Sequence, residues 1–358
     1  MHLDDLDTPA AWVDLEVMER NLIRMALYAR NHGLALRPHI KTHKVPALAR
    51  MQVSLGAAGI TSAKVTEALV MARAGLNDIL LAYPVWGAQK WERLRELAGL
   101  ARVSLATDSY SHVEAMSKAL GAERGKVRLL VEVDVGSGRC GLPTDGSLAA
   151  EVARIAGCGM PVIGMMIYPG HIRKADTDNI SQLNGRVEAA REAFLKAGVR
   201  MEVISGGSTP TWNHSHEIAA LTEIRPGTYI FNDCNTVDTG AVGWEDCALR
   251  VRCRVVSTSV PGRIIIDGGS KTFSDAARLS GKGFGRLVQA PDILCEKMNE
   301  EHGYLLPGDS AFRPRPGALV DVIPNHVCTT VNMHRTLYGV RGGEVVEAWE
   351  VAARGMLQ

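Results

Sequence analysis

Eight short apolar runs alternate with amphipathic stretches between Leu34 and Asp233, and this alternation restricts the fold more than any other feature of the chain. The runs are Leu34–His39, Ala58–Ser62, Asp78–Tyr83, Val103–Thr107, Val127–Asp134, Val162–Tyr168, Met201–Ser205 and Thr222–Arg225. Segments of helical period lie between them, such as Lys64–Ala74, Gln89–Ala98, Ser111–Leu120, Ser147–Ala156 and Leu183–Ala197, and Leu15–Asn31 precedes the first run. Repeated strand–helix units favour a parallel sheet. Eight units in roughly 200 residues predict an α/β chain with a (β/α)8 TIM-type barrel, the alternative being an open doubly wound sheet.

The texture changes after Asp233. Leu249–Ser257, Arg263–Ile266, Ala318–Ile323, Thr336–Val340 and Glu344–Trp349 are short β-like runs separated by Gly and Pro, and Arg341-Gly342-Gly343 has the composition of a hairpin turn. This predicts a smaller all-β C-terminal domain. At 358 residues the chain is long enough for two domains. A net charge of +1 leaves no electrostatic footprint for nucleic acid. No apolar run reaches the roughly 18 residues of a membrane span, and the N-terminus lacks the pattern of a signal peptide. Seven scattered cysteines, an odd number, suit reduced thiols, so the expected location is cytoplasmic, with no membrane partner.

A (β/α)8 barrel carries its chemistry at the C-terminal ends of its strands. Lys41 and His43 follow the first run, Lys64 the second, and Tyr83 and Thr107-Asp108 end the third and fourth. A lysine just past a barrel strand can serve as a Schiff-base nucleophile, although a basic surface loop has the same composition. The fifth run leads into the Gly-rich segment that holds Arg139. The sixth ends at Tyr168 and His171. The seventh and eighth open into Ser205-Gly206-Gly207-Ser208-Thr209 and Gly227-Thr228-Tyr229. Glycines with hydroxyls at these two loops suit a phosphate, which needs several converging donors and close backbone approach. His171 is a candidate acid–base group, and a surface histidine is its plainer reading.

In the β-like part, Pro324-Asn325-His326-Val327-Cys328 carries a second signal. On an extended segment His326 and Cys328 would point to the same side and could share one ion. Imidazole with thiolate favours zinc or another transition metal, and two protein ligands would leave positions open for water and substrate. His334 is a more distant candidate.

The stretch Arg37-Pro38-His39-Ile40-Lys41-Thr42-His43-Lys44 resembles the cofactor-lysine segment of the D-threonine aldolase and D-serine dehydratase family, pyridoxal 5'-phosphate enzymes related to alanine racemase. Asp7-Thr8-Pro9-Ala10 resembles that family's opening segment, and Pro324–Cys328 its metal motif. The resemblance covers essentially the whole chain. It implies a cofactor-binding barrel over residues 15–240 and a β-domain over 241–358 joined by residues 1–14. It further implies that Lys41 holds the cofactor and Arg139 approaches its phenolic oxygen. Tyr168 would lie beside the ring, and Ser208, Thr209, Gly227 and Tyr229 would form the phosphate cup. His326 and Cys328 would hold a divalent metal, zinc or manganese. The expected substrate is a small D-amino acid with a β-hydroxyl, and the expected assembly is a homodimer. Aldolases of the family generally have aspartate at the second metal position, whereas the dehydratases have cysteine. Cys328 therefore leans towards elimination, with Lys41 and His171 as catalytic bases. Retro-aldol cleavage is the alternative, and a racemase or a non-catalytic carrier of the cofactor lies further off. Glu300–Gly303 resembles a further family segment without an assigned role.

Overall fold

The structure of the protein is a computed structural model that describes Met1–Gln358. It divides into two units. One comprises Met1–Arg24, Thr42–Val45 and Thr228–Arg354; the other comprises Met25–Lys41, Pro46–Gly227 and Gly355–Gln358.

The chain begins with strand β1 (Ala10–Asp14) and helix α1 (Leu15–Asn31). Eight strands of the larger unit then follow: β2 (Ala35–Leu36), β3 (Ile60–Ser62), β4 (Asp78–Leu81), β5 (Arg102–Thr107), β6 (Val127–Val133), β7 (Val162–Ile167), β8 (Val203–Gly206) and β9 (Glu223–Ile224). All their pairings are parallel, in the order β2-β9-β8-β7-β6-β5-β4-β3. A parallel bridge between His39 and Thr61 joins the two ends and closes the barrel. Each strand falls on one of the eight apolar runs, with β5 starting one residue before its run and β8 ending one residue after. Strands covered on both faces read as continuous apolar segments, which is why the runs stand out. Leu80, Ala106, Leu130, Ile163 and Met166 form one core cluster.

The outer helices are α2 (Pro46–Ser54), α3 (Val65–Arg73), α4 (Ala88–Leu100), α5 (Tyr110–Leu120), α6 (Leu148–Ala156) and α7 (Thr177–Lys196). In α6, Leu148, Val152 and Ile155 recur at helical spacing and are buried. Helix α7 starts six residues before Leu183, because the Asp176 carboxylate caps Asn179 N–H and the Asn179 side chain returns the bond. Helix α2 was missed, although Pro46 at its first position is a helix-start signal.

The smaller unit holds α8 (Cys234–Asp238), β10 (Leu249–Ser257), β11 (Ile264–Ile266), α9 (Ser270–Phe273), β12 (Arg286–Leu287), β13 (Cys295–Met298), β14 (Gly303–Leu305), β15 (Leu319–Ile323), α10 (Val327–Met333), β16 (Thr336–Arg341) and β17 (Glu344–Glu350). The sheet runs β13-β14-β11-β10-β1-β16-β17, and β15 pairs with β10 and β12. Strand β1 lies antiparallel to β10 and parallel to β16. Its Trp12 indole donates to Asp321 at 2.8 Å, and Asp321 also pairs with Arg252. Gly342 and Gly343 turn β16 into β17, both with positive φ, as a two-residue type I′ hairpin requires. The side chains of Val251, Cys253, Ile266, Leu287 and Val320 pack in the core of this sheet.

Helix α10 corrects the expectation that His326 and Cys328 share an extended segment. The strand ends at Ile323, His326 occupies the N-cap, and Cys328 lies in the first helical turn. Asn325 is tied to the carbonyls of Ala276 and Gly283, which fixes the point where the chain turns into the helix. Of Glu300–Gly303, the first three residues lie in the turn between β13 and β14, closed by Asn299 N–H on the His302 carbonyl, and Gly303 opens β14.

Candidate active site

Lys41 lies in a short 3-10 turn (Ile40–Thr42) just past β2, at the catalytic end of the barrel. Its side chain is exposed and in no ion pair. Its backbone N–H faces His39 Nδ1 at 3.5 Å. Burial, and then the positive charges of Lys41, Arg225 and Arg139, hold His39 well below the usual histidine range. His39 is therefore neutral near pH 7 and marks a place where three cations from the ends of β2, β6 and β9 converge. Such a field suits an anionic ligand.

The loop after β6 is shaped by Asp134, whose carboxylate accepts from the N–H groups of Gly136, Ser137 and Gly138. Burial alone would raise the Asp134 carboxyl; these donors outweigh it and hold the group below its ordinary range. The loop brings the Arg139 guanidinium over the Tyr168 ring, 4.2 Å from its centre, and 3.5 Å from Glu132. Burial raises the Glu132 carboxyl against the opposing pull of Arg139 and Arg225. His171 is exposed and lies against Gly136, where a Cβ would come 3.2 Å from its Cε1.

After β8, Gly207 adopts φ +76°, and a Cβ there would crowd Ser215 and Ile224. The turn places Ser208 Oγ 3.0 Å from Thr211 Oγ1. Thr209 Oγ1 is buried without a hydrogen-bond partner. A buried hydroxyl left unpaired is costly, and a ligand oxygen at this loop would satisfy it. Gly227 follows β9 in the same unit. Tyr229 is buried in a 3-10 turn (Thr228–Ile230) that belongs to the smaller unit. Within the barrel unit the residues thus fit pyridoxal phosphate: an amine with no ion-pair partner, a cationic surround and an unsatisfied hydroxyl in a glycine-turned loop. Arg225 enters the sequence reading only as the end of the eighth apolar run, with no role at the site. Its involvement emerges from burial and from the register of β8 with β9.

In the smaller unit, His326 and Cys328 interact directly. The Cys328 thiolate first, and then the Asp233 carboxylate, push the His326 imidazolium up to about 11 against the effect of burial. His326 Nδ1 is 3.1 Å from Asp233 Oδ2. That oxygen also accepts from Val327 N–H at 3.0 Å, while Oδ1 caps α8 through Thr236. With Nδ1 held by a carboxylate, Nε2 is left for an ion. Thr42 Oγ1 is 3.3 Å from Cys328 Sγ. A nitrogen–sulfur pair that shares a proton offers the donor set a soft divalent ion takes in the proton's place, so this pair fits a metal. No group of three His, Cys, Asp or Glu side chains that could hold a metal ion forms. His334 Nε2 is engaged by the Thr272 carbonyl at 3.0 Å. Asp233 was not foreseen: 93 residues separate it from His326, and no local pattern signals the pairing.

Residues 13–234 match the family model "Alanine racemase, N-terminal domain", and residues 248–340 match "Putative serine dehydratase domain". D-threonine aldolase of Arthrobacter sp. is 33% identical over 98% of this chain and 93% of its own length. The crystal structure of D-threonine aldolase from Filomicrobium marinum superposes with a TM-score of 0.93 at 31% identity, covering 99% of this chain and 97% of the other. A structure of a cysteine-to-alanine variant of D-threo-3-hydroxyaspartate dehydratase, described as the metal-free form, gives 0.90 at 29% identity, covering 98% of both chains. Fold and relatives define a pyridoxal-phosphate-dependent lyase of fold type III. The chain belongs to the alanine racemase N-terminal domain family, in the branch that carries a serine dehydratase domain behind the barrel. No helix is long and apolar enough to cross a membrane.

Proposed function

We propose that the protein removes water from D-β-hydroxy-α-amino acids such as D-serine, D-threonine or 3-hydroxy-D-aspartate, giving a 2-oxo acid and ammonia, with pyridoxal phosphate and zinc or manganese as cofactors. The observation that carries this reading is the His326–Cys328 pair backed by Asp233, since a racemase or a cofactor carrier has no use for it. The cysteine, where the family's aldolases generally have aspartate, favours elimination.

Bound at Lys41, pyridoxal phosphate supplies a sink for the electron pair left at Cα. A divalent ion on His326 and Cys328 supplies Lewis acidity towards the substrate's β-oxygen. The chain's own groups do the rest. Ser208, Thr209, Gly227 and Tyr229 hold the phosphate. Arg139 places positive charge near the phenolic oxygen and fixes the Tyr168 ring beneath its guanidinium. Lys41 Nζ as free amine, or His171, takes the proton from Cα. Loss of that proton and of the β-hydroxyl releases one water; hydrolysis then consumes one water and separates the 2-oxo acid from ammonia.

Retro-aldol cleavage to glycine and an aldehyde is the second reading, favoured by the likeness to D-threonine aldolases. It uses the same groups but takes the proton from the β-hydroxyl. D-serine and D-threonine supplied to the holoenzyme, with and without chelator, separate the two. Pyruvate and 2-oxobutanoate mean elimination, glycine with acetaldehyde means aldol cleavage, and the L-isomer alone would mean racemisation. On the same resemblance the enzyme is a cytoplasmic homodimer, a state light scattering measures directly.

A further inference from the structure

A buried ionic chain crosses the barrel interior. Asp78 is the first residue of β4, at the end opposite the catalytic mouth. Its Oδ1 accepts from Arg37 NH1 at 2.7 Å, and Arg37 Nε donates to Glu223 Oε2 at 2.6 Å. Ser205 Oγ donates to Glu223 Oε1 at 2.5 Å. Ser205 Oγ in turn accepts from Arg225 NH1 at 2.7 Å, while Arg225 NH2 donates to the Ile167 carbonyl at 2.8 Å. Ser205, Glu223 and Arg225 are buried. The backbone makes room for this chain: a Cβ on Gly59 would collide with the Arg37 guanidinium and the Asp78 carbonyl.

We propose that Glu223 is a positioning residue for the cofactor site: through Ser205 it aims Arg225, and Arg37 and Asp78 anchor Glu223 from the barrel floor. This rests on the cofactor reading above. Buried ion pairs contribute little net stability compared with apolar residues of the same volume, so stability alone is a weak reason for a five-membered chain of this kind. Its geometry is directional. Ser205 has one proton, which goes to Glu223, and this leaves its lone pairs for Arg225. Burial lowers the Arg225 guanidinium to about 10, and the Glu223 charge is the largest influence opposing that fall. Two of the five guanidinium N–H groups are taken by Ser205 and Ile167, which fixes the plane of the rest. Arg225 is also one of the three cations that crowd His39 at the mouth. The charge at the cofactor site is therefore set partly from the far end of the barrel.

The test uses the holoenzyme and Glu223→Gln, which keeps an acceptor for Ser205 but removes the charge. The visible cofactor band is followed from pH 7 to 11, and cofactor affinity is measured by titrating the band back into apoprotein. The expected result is an alkaline transition about one pH unit lower than in wild type and roughly tenfold weaker cofactor binding. Ser205→Ala, which cuts the link while leaving the Arg37–Glu223 pair intact, should shift the band in the same direction and serves if Glu223→Gln does not fold. Apoprotein melting is the control, because a merely structural role would move melting and leave the band's pH profile alone. A wild-type band with an unchanged profile and affinity in both variants overturns the proposal. A wild-type protein that never shows the band overturns the cofactor reading itself.

Discussion

Asp233 Oδ2 lies 3.1 Å from His326 Nδ1 and 3.0 Å from Val327 N–H, so one carboxylate oxygen orients the imidazole and caps the start of the helix that bears Cys328. The partner of a metal-binding histidine is commonly worth a factor of ten to a hundred in metal affinity. Asp233→Asn should weaken metal binding by roughly 10–100-fold, measured by competition with a chromophoric chelator, and leave the cofactor band in place. Unchanged metal affinity would mean that the carboxylate only shapes the helix.

Metal affinity should depend on pH with a definite sign. Binding displaces the proton that His326 and Cys328 share, and this proton is held up to about 11 by the anionic neighbours of His326. Lowering the pH below neutrality therefore weakens binding, by about tenfold per unit for each proton released. Isothermal titration at several pH values in buffers of different ionisation enthalpy gives both the slope and the proton count. A flat profile would remove the thiolate from the coordination sphere.

Thr209 separates binding from stability. Its hydroxyl is buried without a partner, so Thr209→Val removes an unsatisfied group from the apoprotein. Apoprotein melting should stay level or rise, whereas cofactor affinity should fall by about 10–150-fold, the value of one hydrogen bond to a charged group at about 1.5–3 kcal/mol. A loss of apoprotein stability with unchanged cofactor affinity would place the phosphate elsewhere.

Lys41 is identified by chemistry. Purified holoprotein should absorb at roughly 410–420 nm, and borohydride should bleach that band and leave the cofactor on a peptide containing Lys41. Label on Lys64 or Lys271 instead would contradict the assignment.

Much of the architecture is readable in the sequence, because a parallel strand buried on both faces makes an uninterrupted apolar run, and α6 and α7 carry their buried side at helical period. The edges of elements are less readable: Asp176 caps α7 several residues before its apolar face begins, and the short strands β12 to β14 have too few residues to show a period. At the site, Lys41, Arg139 and the His326–Cys328 pair stand out as residue types in telling places. The conformation around Cys328 was misread, since Pro324-Asn325 ends a strand and starts a helix rather than continuing the extended chain. Asp233, and the chain from Asp78 through Arg37, Glu223 and Ser205 to Arg225, leave no local trace. Glu223 and Arg225 flank Ile224 in and just past β9, Ser205 lies in β8, Arg37 follows β2 and Asp78 opens β4, and only strand register and tertiary packing bring the groups together.

The central claim is a division of labour, with the cofactor on Lys41 and the metal on His326 and Cys328, both required for turnover. It is tested most directly by recording the cofactor band and 2-oxo acid formation from D-serine or D-threonine in the same sample. Wild type, His326→Ala and Cys328→Ala are each treated with chelator and then with zinc or manganese. The account predicts that every sample keeps the band, that chelation or either substitution abolishes turnover, and that added metal restores only the wild type. Full turnover by metal-free Cys328→Ala would contradict it.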